Sequence, residues 1–224
     1  MRVLRSALVL LLVVQLAVPF CASAQEINVN LLIQETQKRA EKPGEINIIW
    51  WFPEDIWRVS LAQTPNITPE QIEATLSVFR PYVIMAAVMG KVDPLGTVTY
   101  KSEAEMRANV RLIDASGSEY LPLAEDGINA MTKGYLAMMK PIFANTMGPM
   151  GQNMYFFVFV AKDKNGADIA DPRKEGIFSV RLLDKEVQWK LPLTSLLPEK
   201  TCPTCKQKLS GAYKYCPWDG TPLP

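Results

Sequence analysis

Two short clusters near the C-terminus carry the clearest chemistry. Cys202-Pro203-Thr204-Cys205 is followed, after ten residues, by Cys216-Pro217-Trp218-Asp219-Gly220. In each cluster two residues separate two donor side chains, so one tight turn can aim both at one point. Two such turns can surround a single tetrahedral ion. Proline after the first donor and glycine after the last suit turns whose backbone N–H groups face the sulfurs. The candidate metal ligands are therefore Cys202, Cys205, Cys216 and Asp219. Three thiolates and a carboxylate suit one structural Zn²⁺, held more weakly than four thiolates would hold it. The competing chemistry is redox. In an oxidising compartment Cys202 and Cys205 could pair as a disulfide and leave Cys216 as an odd thiol. A thioredoxin-like site is disfavoured, because no βαβ pattern surrounds the pair.

Over about residues 200–222 the segment resembles a short zinc ribbon of the kind written CPxC…CPxCG. It departs from that pattern at Asp219, which stands where the fourth cysteine would be. The resemblance implies a structural or interaction module. About 23 residues bury too little surface to fold without a staple, so the metal would be part of the fold. Lys206, Lys208 and Lys214 read as a solvated face rather than a nucleic-acid patch. The rest of the chain suggests no family.

Other residues could also do chemistry. Glu54 and Asp55 stand among Trp50, Trp51, Phe52 and Trp57. Carboxylates beside aromatic faces could bind and cleave a glycoside, although a core strand followed by a proline turn explains the same run. Six of the ten methionines fall between Met131 and Met154. Thioethers can hold Cu(I) or form an adaptable contact surface. The plainer expectation places Met131, Met138 and Met139 in a helix core and Met147 and Met150 in a glycine–proline loop over 145–153. Asp163, Asn165 and Asp168 around Gly166 read as a hairpin turn rather than a calcium loop. The absence of histidine removes His-based triads, His general bases and His metal ligands. Ser60, Ser77, Ser179 and Ser195 have no evident base, so no catalytic residue is assigned.

The elements that must position these groups follow from hydropathy and turn signals. Residues 1–24 read as a signal peptide. Arg2 and Arg5 precede the apolar run 7–18, and Ala22-Ser23-Ala24 offers a cleavage site. Phe20 before Cys21 is too bulky for a lipid-attachment motif. Residues 25–198 read as the body and 199–224 as the zinc-ribbon-like tail. In the body, a helical pattern in 25–45 ends at Lys42-Pro43-Gly44. Strands are expected at 46–52, 82–92, 97–100, 109–113, 120–121, 154–160, 176–183 and 187–191. Thr68-Pro69-Glu70-Gln71 starts a helix, and a second runs from Ile128 to Lys140 and stops at Pro141. No internal repeat and no glycine-rich phosphate loop is evident.

The chain has 224 residues and a formal charge of +1, which argues against a general nucleic-acid binder. The expected fold is α+β, mainly antiparallel sheet or sandwich with helical insertions. The expected protein is exported, to the periplasm or beyond, and is a non-enzymatic binding or assembly protein with a metal-stapled tail and a protein partner in the cell envelope. No stable membrane span is expected once the signal is cleaved. The alternatives are a carboxylate-dependent hydrolase of an envelope polysaccharide and a periplasmic copper or zinc handler.

Overall fold

The computed structural model describes residues 27–39 and 42–224. The expected signal segment, with Cys21, lies outside the described residues. Among the described residues, six helices and mainly antiparallel strands build the α+β fold. Helix α1 (Val29–Thr36) leads into β1 (Gln37–Arg39) and β2 (Glu45–Trp51). Helices α2 (Glu54–Ala62) and α3 (Pro69–Ser77) follow, then β3 (Tyr82–Val92) and β4 (Val98–Tyr100). Next come α4 (Glu103–Asn109), β5 (Val110–Ile113) and β6 (Glu119–Tyr120). Helices α5 (Ala130–Met147) and α6 (Pro149–Gln152) precede β7 (Tyr155–Val160), β8 (Gly176–Leu182) and β9 (Lys185–Leu191). The short hairpin β10 (Lys200–Thr201) and β11 (Lys208–Leu209) opens the C-terminal segment.

Strand β3 organises the body. It pairs with β2 on one side, and on the other with β7 near its start and β4 near its end. Strand β1 extends this first sheet beyond β2. The second sheet runs β6-β5-β8-β9. Side chains on β3 alternate between two cores, as a period of two requires. Val83, Met85, Ala87 and Met89 join the core shared with the second sheet, while Ile84, Ala86 and Val88 join a core covered by α2, α3 and α5. The first sheet is thus buried on both faces, which explains the unbroken apolar run of β3. The order is sheet, sheet, helices. In the inter-sheet core Phe178 and Trp189 stack with centroids 5.0 Å apart, and Trp51 meets Phe178 edge-on at 4.9 Å. The outer face of the second sheet is solvated, with Arg181 between Glu119 and Glu186.

Four sequence expectations are corrected. The first helix stops at Thr36 rather than near Lys42. Fully buried Thr36 bonds back to the Leu32 carbonyl at 2.7 Å, and the next three residues pair with Ile48, Ile49 and Trp50. Strand pairing outweighs the weak helical pattern. Helix α4 was not anticipated, although Ser102 caps it through Glu105 N at 3.3 Å. Helix α5 continues past Pro141 to Met147, because buried Phe143 packs against Phe52 and Phe156. The expected loop over 145–153 is the end of α5 followed by α6. Gly148 makes that turn at φ +58°, and Gly151 sits so close to the Phe143 carbonyl that an added Cβ would lie 1.9 Å from it.

Candidate metal centre

The C-terminal segment has its own small core of Cys202, Leu209, Cys216 and Leu223. Its local folding follows a repeat that the sequence reading missed. Lys200, Cys202, Pro203 and Leu209 recur fourteen residues later as Lys214, Cys216, Pro217 and Leu223. The backbone repeats with them. Cys202 N–H donates to the Gln207 carbonyl at 3.0 Å, and Cys216 N–H to the Thr221 carbonyl at 2.8 Å. Lys206 N–H donates to the Cys202 carbonyl at 3.0 Å, and Gly220 N–H to the Cys216 carbonyl at 2.9 Å. Lys206 and Gly220 share a left-handed backbone, with φ of 61° and 71°. The Thr201–Lys208 strand pair has its counterpart in the Tyr215–Pro222 bridge. Positions between the fixed Cys-Pro and Leu residues mostly face solvent and have diverged, which hid the repeat.

The repeat places Asp219 where Cys205 stands in the first turn. The equivalence extends to hydrogen bonding. Gln207 N–H serves the Cys205 sulfur, and Thr221 N–H donates to Asp219 Oδ1 at 2.9 Å. Ligand atoms of Cys202, Cys205, Cys216 and Asp219 all lie within 4.8 Å of one another. Cys205 Sγ is 3.6 Å from Cys216 Sγ, and Cys202 Sγ is 3.4 Å from Asp219 Oδ2. No disulfide joins Cys202, Cys205 or Cys216 in this structure. The donors form one cluster, and that cluster can hold a metal ion.

Electrostatics within the cluster fit a cation. Burial raises the Cys202 pKa, but the amides of Cys205 and Thr204, together with the Cys205 and Cys216 side chains, outweigh it and favour the thiolate. At Cys205 the Gln207 amide also favours the thiolate, yet burial and the neighbours Cys202, Cys216 and Asp219 prevail and push it up to about 11. The side-chain and backbone bonds from Thr221 hold Asp219 well below the usual carboxylate range. Four acids this close cannot all ionise comfortably without a positive charge among them, and a cation held there would supply it.

The two buried cysteines, Cys202 and Cys216, face the small core, while Cys205 is half-buried and Asp219 is exposed. Neighbouring residues in the sequence include exposed aromatic side chains. Trp218, between Cys216 and Asp219, is 76% exposed, and Tyr215 is 62% exposed. Tyr213 is also exposed, as are Lys206, Lys208 and Lys214, consistent with a solvated face.

The other candidate groups are engaged in ion pairs and core contacts. Glu54 pairs with Arg80 at 2.6 Å and Arg58 at 2.6 Å, and buried Asp55 pairs with Arg173. Glu54 and Arg80, but not Asp55, line a cleft of about 380 Å³ that Asp168 and Asp171 also line. Asp168 and Asp171 pair with Lys162 and Lys174. Arg80 above all keeps Glu54 below the ordinary range, the opposite of what a general acid needs. The aromatic neighbours Trp51, Phe52 and Trp57 are buried, so they offer no open ring face to a sugar.

The methionines scatter. Met154 is buried, and Met139, Met147 and Met150 pack on the helix-side core. Met131 and Met138, expected in the helix core, are each 58% exposed on α5. The helix buries Thr132, Leu136 and Phe143 instead. Asp163 makes the expected turn, accepting from Asn165 and Ala167 N–H at 2.8 Å each. Glu35 was missed as a structural residue. Its carboxylate accepts from the backbone and hydroxyls of Thr194 and Ser195, tying α1 to the turn before the C-terminal segment. No helix among the described residues is long and apolar enough to cross a membrane.

No protein-family model, curated protein or solved structure matches the chain.

Proposed function

We propose that the protein is exported, to the periplasm or beyond, and acts as a non-enzymatic binding or assembly protein. In this reading residues 199–224 form a zinc-ribbon tail that docks on a protein of the cell envelope. One observation carries the proposal: three thiols and a carboxylate converge in a segment whose Tyr213, Tyr215 and Trp218 are exposed. Cys202, Cys205, Cys216 and Asp219 would hold one Zn²⁺, whose chemistry here is structural. Four side chains make too small a core for independent stability, so metal binding and folding of the tail are one process. The metal-ligand turn then presents Trp218 in a fixed place, and tryptophan and tyrosine are the residues that most often anchor an interface. Export is supported by the charge and hydropathy of residues 1–24.

The test compares the whole chain with one lacking residues 200–224. The expected result is an unchanged unfolding midpoint for the body and loss of association in the cell envelope. A truncated chain that keeps every partner and its native oligomeric state would overturn the docking role. The mass of the exported form should correspond to a chain starting at Gln25.

A further inference from the structure

Three of the four clustered donors are alike, and the fourth is not. Cys202, Cys205 and Cys216 offer sulfur, two of them from the buried side of the segment. Asp219 offers oxygen from the solvent side, in a position whose backbone is built for a cysteine. A soft or borderline ion already bound by three thiolates favours a further sulfur over a carboxylate oxygen. Asp219 Oδ1 accepts the Thr221 N–H at 2.9 Å, a bond that does not require the ion. Trp218, between two of the donors in sequence, and Tyr215, next to Cys216, carry exposed rings. We infer that Asp219 is a displaceable ligand, and that the centre accepts a thiolate from outside this chain in its place.

The exchange is a ligand substitution without electron transfer. The incoming thiol loses its proton to solvent and forms a bond to the ion, and the bond to Asp219 breaks. Asp219 leaves as a carboxylate, so one anion replaces another and the net charge of the centre is unchanged. Two sources can supply such a thiolate: a cysteine side chain of a partner, or a small free thiol. The first would lock the tail to a partner through the ion, and the second would prepare the ion for handover. This inference rests on the metal centre proposed above and specifies what that centre binds.

The experiment loads the whole chain with Co²⁺ and follows sulfur-to-cobalt charge transfer and the d–d bands during a titration with free cysteine. Wild type is expected to gain charge-transfer intensity as a fourth sulfur joins three, with a shift of the d–d bands. Asp219→Cys is expected to show the four-sulfur spectrum from the start and no response to added thiol. Asp219→Ala, which leaves a vacant fourth position, is expected to respond at lower thiol concentration than wild type. A short peptide with one cysteine forms a second arm. Saturation by this peptide at a lower concentration than free cysteine, with the difference abolished in Trp218→Ala, would identify a protein-borne thiolate, and equal saturation would identify small thiols. Either supports exchange at Asp219. Tight Co²⁺ binding with an unchanged spectrum through millimolar thiol would overturn the inference while leaving the metal centre standing. Failure to take up Co²⁺ at all would overturn the metal centre and the inference together.

Discussion

Asp219 and Glu35 are both carboxylates served by backbone N–H groups, yet their surroundings give them different work. Asp219 is exposed beside three thiols and faces outward. Glu35 faces inward and receives the Thr194 N–H at 2.8 Å, the Ser195 N–H at 2.9 Å and both hydroxyls. Burial pushes the Glu35 pKa up, but these bonds from Ser195 and Thr194 outweigh it and hold it below 4.5. A carboxyl with a depressed folded pKa contributes stability above its unfolded pKa and loses it as pH falls through the folded value. Glu35→Gln should therefore lower stability at neutral pH by about 1–2 kcal/mol, allowing for partial solvent screening. The difference from wild type should shrink below pH 4.5, the ordinary value for this group. Denaturant unfolding across pH checks both; an unchanged midpoint at neutral pH would show that the carboxylate contributes nothing. The four candidate ligands were legible in the sequence because ligand spacing is local. Glu35 was not, since its partners lie some 160 residues away and nothing near it in sequence marks the contact.

At the scale of elements, β3 and α5 show what local patterns reveal and where they fail. The run 82–92 identified β3 because burial on both faces leaves no polar alternation to blur the signal. Thr68 and Gln71 identified α3 because a capping box is complete within four residues. Helix α5 defeated the same approach. Proline in a helix interior costs about 3 kcal/mol, which favours stopping at Lys140. Packing of Phe143 among Trp50, Phe52 and Phe156 lies beyond sequence reach and carries the helix onward. The close seating of α6 on α5 yields a direct test. An added Cβ at Gly151 would meet the Phe143 carbonyl, and the clash is with backbone. Gly151→Ala should cost about 1–3 kcal/mol through displacement of α6. Thermal unfolding reads this, and a wild-type midpoint would mean that α6 can shift freely.

For the whole molecule, the division of cores matters most. The body buries two large cores on opposite faces of one sheet, and the C-terminal segment has a third, far smaller one. The α+β class was legible, since strand signals and helix caps were numerous and local. The layer order was not, because which sheet covers which face of β3 depends on contacts distant in sequence. The C-terminal segment meets the body's last turn closely: a Cβ on Gly211 would lie 2.3 Å from the Pro198 carbonyl. In the reading proposed above, a metal held by the cysteines adds the stability that its own small core lacks. The most direct measurement is metal content with a thiol titration, on protein purified from the exported fraction without added metal. The account predicts one zinc per chain, with three thiols reacting only after chelation and unfolding. No metal, with a disulfide between two of Cys202, Cys205 and Cys216, would contradict it.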